Sequence, residues 1–184
     1  RIHTRLQRWN KPRGIVALMS AHNKHHERVR QYYVRTSEDS YLANWSAGSL
    51  GIHLGFADAS TKSLAEAVSA TNEWLASRAD VSATSRVLDA GCGVGGSTIW
   101  LAQHRHAEVV GVSLVAEQIE ICRELAGQQL AGTPDLERVT FLCRDMVRTG
   151  LEPHSFDVVW NLESLCHVEE LDAYLAHVAT LLRP

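Results

Sequence analysis

Between Asp89 and Ser97 the chain reads Asp-Ala-Gly-Cys-Gly-Val-Gly-Gly-Ser, with Gly91, Gly93, Gly95 and Gly96 following the short apolar run Val87-Leu88. That order describes a strand entering a tight turn and then a helix. Glycine lets a ligand lie against bare backbone, and the first N–H groups of the helix point at it. Two spacings overlap here. Gly91, Gly93 and Gly96 form G-x-G-x-x-G, the dinucleotide fingerprint; Gly91, Gly93 and Gly95, preceded by Asp89, form D-x-G-x-G-x-G. Further along, Glu163 and His167 stand four residues apart. On a helix they would share one face, an arrangement suited to acid–base work or to stabilising a cation. The competing structural reading makes Glu163 the cap of the following turn and His167 part of a packed wall.

Positioning such groups requires ordered elements, and the apolar periodicity supplies them. Residues 1–35 read as largely helical with a break at Lys11-Pro12-Arg13-Gly14, and residues 36–61, rich in Ser, Gly and Ala, as irregular. Leu64, Val68, Thr71 and Leu75 mark a helix over 62–78. Strands are expected at 86–90, 108–113, 138–143 and 155–161, alternating with helices at 96–104, 116–130 and 169–182. Strand–helix alternation with apolar strands predicts an α/β fold with a parallel sheet covered on both faces. Four strands are few for a doubly wound sheet and the last helix leads into none, so C-terminal strands are expected to be missing from this chain.

Composition narrows the function classes. The chain has 184 residues, 45% of them hydrophobic and 21% charged, and no apolar run of the roughly 18 residues that a membrane span needs. Cys92, Cys122, Cys143 and Cys166 lie far apart without a C-x-x-C pair, which suits a reducing cytoplasm better than a disulfide framework or a zinc site. His22, His25 and His26 lack companion acids or cysteines at ligand spacing, so no metal is assigned. Net charge is −3, yet residues 1–35 carry nine Lys/Arg against Glu27 alone. Such an arm is either solvated on its own or docked on an acidic body, or it is a positive lid over an anion. It is not interleaved into a nucleic-acid module. No feature suggests a protein or RNA substrate, and a homo-oligomer is left open.

The residues around the glycines separate the two spacings. A dinucleotide site places an acid about 20 residues beyond the loop, at the end of the second strand; here that position is Ser113, and the nearest acid, Glu117, is already in the next helix. Val87 to Ser97 resembles motif I of class I S-adenosylmethionine-dependent methyltransferases. Gly111-Val112-Ser113-Leu114-Val115-Ala116-Glu117-Gln118 is similar to their second-strand motif, Arg144-Asp145-Met146 to their adenine-side motif, Ser155 to Trp160 to their fourth strand, and Leu181-Leu182-Arg183-Pro184 to the turn after the following helix. Tyr32, Tyr33, Trp45 and His53 to Phe56 resemble the cap of the small-molecule branch, which includes tocopherol, sterol and prenyl diphosphate C-methyltransferases and alkaloid N-methyltransferases.

This resemblance implies a Rossmann-like, doubly wound, mainly parallel domain over 62–184 beneath an N-terminal helical cap over 1–61. It implies S-adenosyl-L-methionine as cofactor, with Gly91, Gly93 and Gly95 under its methionine part and Asp89 at its amino group. Ser113, Leu114 and Gln118 would face ribose and adenine, and Asp145 and Met146 the adenine. Asn161 would stand at the methyl-donor end, and Tyr33 at the carboxylate. Glu163 and His167 are the implied catalytic pair. The expected reaction is methyl transfer to an apolar or amphipathic metabolite of secondary metabolism, with carbon favoured over nitrogen or oxygen. An isoprenoid diphosphate is a subsidiary acceptor, and only that one would call for Mg²⁺. A nicotinamide-dependent oxidoreductase and a non-catalytic cofactor-binding domain are the alternatives.

Overall fold

A computed structural model describes residues 21–39 and 50–184. The expected break at Lys11-Pro12-Arg13-Gly14, the basic residues ahead of it and Trp45 lie outside the described residues. The elements are helix α1 (Ala21–Asp39), α2 (Leu64–Arg78), strand β1 (Arg86–Ala90), α3 (Gly96–Arg105), β2 (Glu108–Ser113), α4 (Ala116–Gln129), β3 (Val139–Cys143), β4 (Val158–Trp160) and α5 (Leu171–Leu181). Short 3-10 turns occupy Pro134–Arg138, Met146–Arg148 and Leu165–His167.

Local chemistry accounts for most boundaries. Ser63 caps α2 by accepting from Glu66 N at 3.2 Å, and Glu66 reaches back to Lys62 N at 2.8 Å, so two orphan amides at this terminus are satisfied. α1 runs on past residue 35 to Asp39, because Thr36-Ser37-Glu38-Asp39 is polar but contains no glycine or proline to stop a helix. β4 is shorter than its apolar run suggested. Ser155 and Phe156 donate to Leu181 O at 2.9 and 3.1 Å and Phe156 O accepts from Arg183 N at 2.8 Å, so they pair with the end of α5 before the chain reaches the sheet.

The four strands are parallel in the order β3-β2-β1-β4. Val87 is in register with Val109 on one side and with Val158 on the other. Alternation along these strands makes two core layers. Val87, Val109 and Trp160 pack with Trp100, Leu101 and Ala76 from α3 and α2. Leu88, Val110 and Val112 pack with Phe156 and Leu181 on the opposite face. Both faces are covered, as an α/β Rossmann-like sheet requires. The chain winds outward from β1 to β3 and then crosses to β4. The carboxyl ends of β1 and β4 therefore flank a topological switch point, where such folds bind their ligands.

Candidate active site

The glycine turn leaves β1 at that switch point. Gly91 and Cys92 donate to Val112 O at 3.0 and 2.9 Å, which folds the turn across the end of β2. Gly91, Gly93 and Gly95 have φ of +91°, +55° and +88°, a region that L side chains rarely adopt. Their surroundings differ. A methyl group on Gly93 would meet nothing within 4 Å, whereas one on Gly95 would lie 3.0 Å from Phe141 and 3.1 Å from Cys122 Sγ. Gly91 and Gly93 line a cavity with about 1020 Å³ of empty space, counting its mouth; Gly95 faces the core and ends the turn as the cap of α3.

Asp89, at the tip of β1, is 3% exposed and accepts from the Thr98 hydroxyl at 2.7 Å. Burial pushes its carboxyl up to about 6, against the opposing pull of the Thr98 hydrogen bonds. At the tip of β2, Ser113 donates to Gln118 Oε1 at 2.7 Å and accepts from Val115 N at 3.2 Å. Both side chains line the cavity next to Leu114, whose carbonyl accepts from Arg30 Nε of α1 at 3.3 Å. Asp145 and Met146 close the same end. Asp145 accepts from Val147 N at 2.9 Å, a cap of the short turn, and its other oxygen lies 3.6 Å from His26 Nε2.

Asn161 is placed differently from expectation. It donates to Ala90 O at 3.0 Å and to Ser164 Oγ at 3.1 Å, accepts from the Tyr174 hydroxyl at 2.8 Å, and is not part of the cavity wall. Its amide is fully engaged in tying β4 to β1 and α5. The helix that would put Glu163 and His167 on one face is not formed. Glu163 has φ +55° and only Leu165–His167 form a turn, so no α-helix carries the pair. Their side chains take separate partners on the cavity wall. Glu163 Oε1 accepts from Leu54 N at 3.0 Å, and His167 Nε2 lies 2.6 Å from the Tyr33 hydroxyl. The His167 carbonyl is 2.9 Å from His25 Nε2. Burial, and then the nearby charge of His25, lower the affinity of His167 for a proton, which favours the neutral imidazole.

Several wall residues escaped the sequence reading. Ser164 donates to Ala90 O at 2.7 Å and packs against Gly91, where an added methyl group would lie 2.5 Å from its Cβ. Val29 and His26 reach the cavity from α1, and Leu50, Gly51 and Ile52 from the segment before α2, next to His53 of the cap motif. Apolar periodicity carries no signal for these, because their contacts are with residues distant in the chain.

A parallel sheet with a glycine turn at its switch point and a cavity at its carboxyl edge defines a cofactor-binding domain of the doubly wound class. Within that class, the chain belongs to the methyltransferase domain family, which residues 88–184 match. It is 36% identical over 135 residues to methyltransferase GfsG of Streptomyces halstedii, covering 72% of this chain and 47% of that protein. It is 34% identical over 133 residues to the 27-O-demethylrifamycin SV methyltransferase of Amycolatopsis mediterranei, with the same coverage of 72% and 47%. Among solved structures, the geranyl diphosphate C-methyltransferase of Streptomyces coelicolor, in complex with Mg²⁺, geranyl diphosphate and S-adenosyl-L-homocysteine, shares the fold with a TM-score of 0.71 and 21% identity over 86% of this chain and 61% of that one. The chain spans about half the length of the curated relatives it matches.

Proposed function

We propose that this chain binds S-adenosyl-L-methionine and transfers its methyl group to a hydroxyl of an apolar or amphipathic natural product. The carrying observation is the placement of His167 and Tyr33 on the wall of the cavity that the glycine turn opens. The residues present suit the cofactor: Gly93 has open space on the cavity side, Asp89 offers a carboxylate beside the turn, and Ser113, Leu114, Asp145 and Met146 form a nucleoside-sized end. Bound, the cofactor supplies an electrophilic sulfonium methyl. Gly91 and Gly93 would pass beneath its amino acid part, and Asp89 would hold the ammonium.

The chain's own task is then to place the acceptor and manage one proton. The neutral His167 imidazole accepts from the Tyr33 phenol; as the acceptor hydroxyl loses its proton to the phenolic oxygen, the phenol passes its own to His167 Nε2. The apolar Val29, Ile52 and Leu162 around the cavity suit an acceptor with much carbon surface. The name of one bacterial relative, a methyltransferase of 27-O-demethylrifamycin SV, agrees with a hydroxyl acceptor.

Carbon methylation is the second reading, and Glu163 favours it: a carboxylate on the cavity wall could hold a carbocation and take its proton, although here it is anchored to Leu54 N. With a diphosphate acceptor, as in the geranyl diphosphate enzyme, Mg²⁺ would be needed; among the described residues no three His, Cys, Asp or Glu gather to hold a metal. On this reading residues 1–61 act as a cap over the domain of 62–184, and the protein works in the cytoplasm. No described helix is long and apolar enough to cross a membrane.

Titration calorimetry with S-adenosylhomocysteine and with NADH tests the cofactor. Micromolar binding of the first alone is expected, and binding of NADH alone would overturn the reading. Paired His167→Ala and Glu163→Gln variants then decide the acceptor atom. Loss of turnover in the first with retention in the second is expected for oxygen; the reverse pattern belongs to carbon.

A further inference from the structure

The cavity has two ends, and the side chains exposed around them differ in kind. Beside Ser113 and Asp145 the rim is charged. Arg30 reaches Leu114 O from α1, Arg144 N is bound to Ser113 O at 2.9 Å, and both arginines are exposed. Around Tyr33, Glu163 and His167 the rim is largely apolar. Leu54 is 67% exposed, with its own amide held by the Glu163 carboxylate at 3.0 Å. Leu165, 40% exposed, lies between Glu163 and His167 in the chain, and Tyr32, 52% exposed, stands edge-on to Tyr33 at 5.1 Å. None of these three is part of the cavity wall; they surround the wall residues from outside.

A single exposed leucine needs no explanation, but large apolar side chains from three distant segments converging on one opening do. Leu54 cannot withdraw from it. Its amide is tied to Glu163, and the next residue, Gly55, lies so close to α2 that an added methyl group would stand 2.3 Å from the Ala67 carbonyl carbon. The size of the cavity gives the rim a use. Its empty space of about 1020 Å³, mouth included, is at the top of the roughly 300–1,000 Å³ that encloses one drug-sized ligand. S-adenosyl-L-methionine is itself of that size. An acceptor of comparable size is therefore not enclosed along with it, and the part that does not react lies across the mouth.

We propose that the acceptor is a molecule larger than the space left beside the methyl donor. Its hydroxyl reaches inward to Tyr33 and His167, while its apolar body rests outside the cavity on Leu54, Leu165 and Tyr32. This assignment rests on the methyl-transfer reading above and deepens it. The three rim residues take no part in the chemistry; they select the acceptor by the length of its apolar body.

4-Alkylphenols serve as probes, titrated by calorimetry into the full chain saturated with S-adenosylhomocysteine. Affinity is expected to rise about two- to fourfold for each methylene added from 4-ethylphenol to 4-octylphenol, as the chain covers the rim. Leu54→Ser and Leu165→Ser should each weaken 4-octylphenol at least fivefold and leave 4-ethylphenol within twofold. Leu136 is 39% exposed on the turn before β3, at the opposite edge of the sheet, and Leu136→Ser should leave both phenols within twofold. A dependence on chain length that both rim variants retain, equal weakening of the two phenols, or an equal effect of Leu136→Ser overturns the assignment. So does cosedimentation of the parent with phosphatidylcholine vesicles that the rim variants lose, which would make the rim a membrane contact. A chain that binds S-adenosylhomocysteine but no alkylphenol overturns this assignment alone; one that does not bind S-adenosylhomocysteine overturns the cofactor reading, and this assignment with it.

Discussion

His167 shows how burial alone can suit a side chain to its task. An imidazole with a lowered proton affinity is neutral at pH 7 and needs no further device to act as a base. Activity should therefore stay level as pH falls to about 6.5, the ordinary histidine value, and decline only below it. Replacing His25 with glutamine removes the smaller of the two causes, so the acid limb of the pH–rate profile should move upward while burial keeps it below the ordinary position. A limb that stays fixed would show that the His25 charge is not felt. Tyr33 offers a sharper division. If its phenol serves His167, Tyr33→Phe lowers kcat by about 100-fold, at the lower end of the range of general acid–base catalysis, and leaves S-adenosylhomocysteine affinity unchanged. If instead it holds the cofactor's carboxylate, as its position in the sequence suggested, affinity falls with it.

At the scale of elements, three glycines of one motif do three jobs. Gly93 faces open space, Gly91 makes room for Ser164, and Gly95 makes room for Phe141 of β3 and Cys122 of α4. An alanine at either Gly93 or Gly95 pays about 1–2 kcal/mol for a left-handed conformation. At Gly95 the contact with Phe141 adds to that, so denaturant unfolding should show Gly95→Ala as the less stable of the two. Gly93→Ala should be the one that loses cofactor affinity in calorimetry, because its methyl group enters the cavity. The order of these effects could not be read from the sequence, where both residues satisfy the same spacing. β1, β2 and β3 were legible almost to the residue, since their apolar runs are bounded by polar or glycine-rich segments. The segment after β4 was not. Glu163 has a positive φ there, and neither propensity nor periodicity predicts that for a glutamate.

For the molecule as a whole, the site sets a condition on stability. The Asp89 carboxyl titrates near 6 in the folded chain against an ordinary value of 3.8. A raised carboxyl contributes its full stabilisation below the unfolded value, loses it as pH rises from about 3.8 to 6, and contributes nothing above; the swing is on the order of 2–3 kcal/mol. Asp89→Asn keeps an acceptor for Thr98 but does not titrate. The difference in melting temperature in favour of the variant should therefore widen between pH 4 and 6 and then hold constant, while its S-adenosylhomocysteine affinity drops. A constant difference across that window would mean that Asp89 is not desolvated. The fold that imposes this burial was already written in the chain's local order: strands and helices alternate, and the glycines follow the first strand at the edge where such sheets bind ligands. These are short-range properties, fixed by side-chain period and backbone freedom. Which side chains meet in the cavity was settled only by tertiary packing. Leu50 to His53, Tyr33 and His167 come from segments more than 100 residues apart at their extremes, and the loss of water that favours the neutral form of His167 arises only when those segments close on one another.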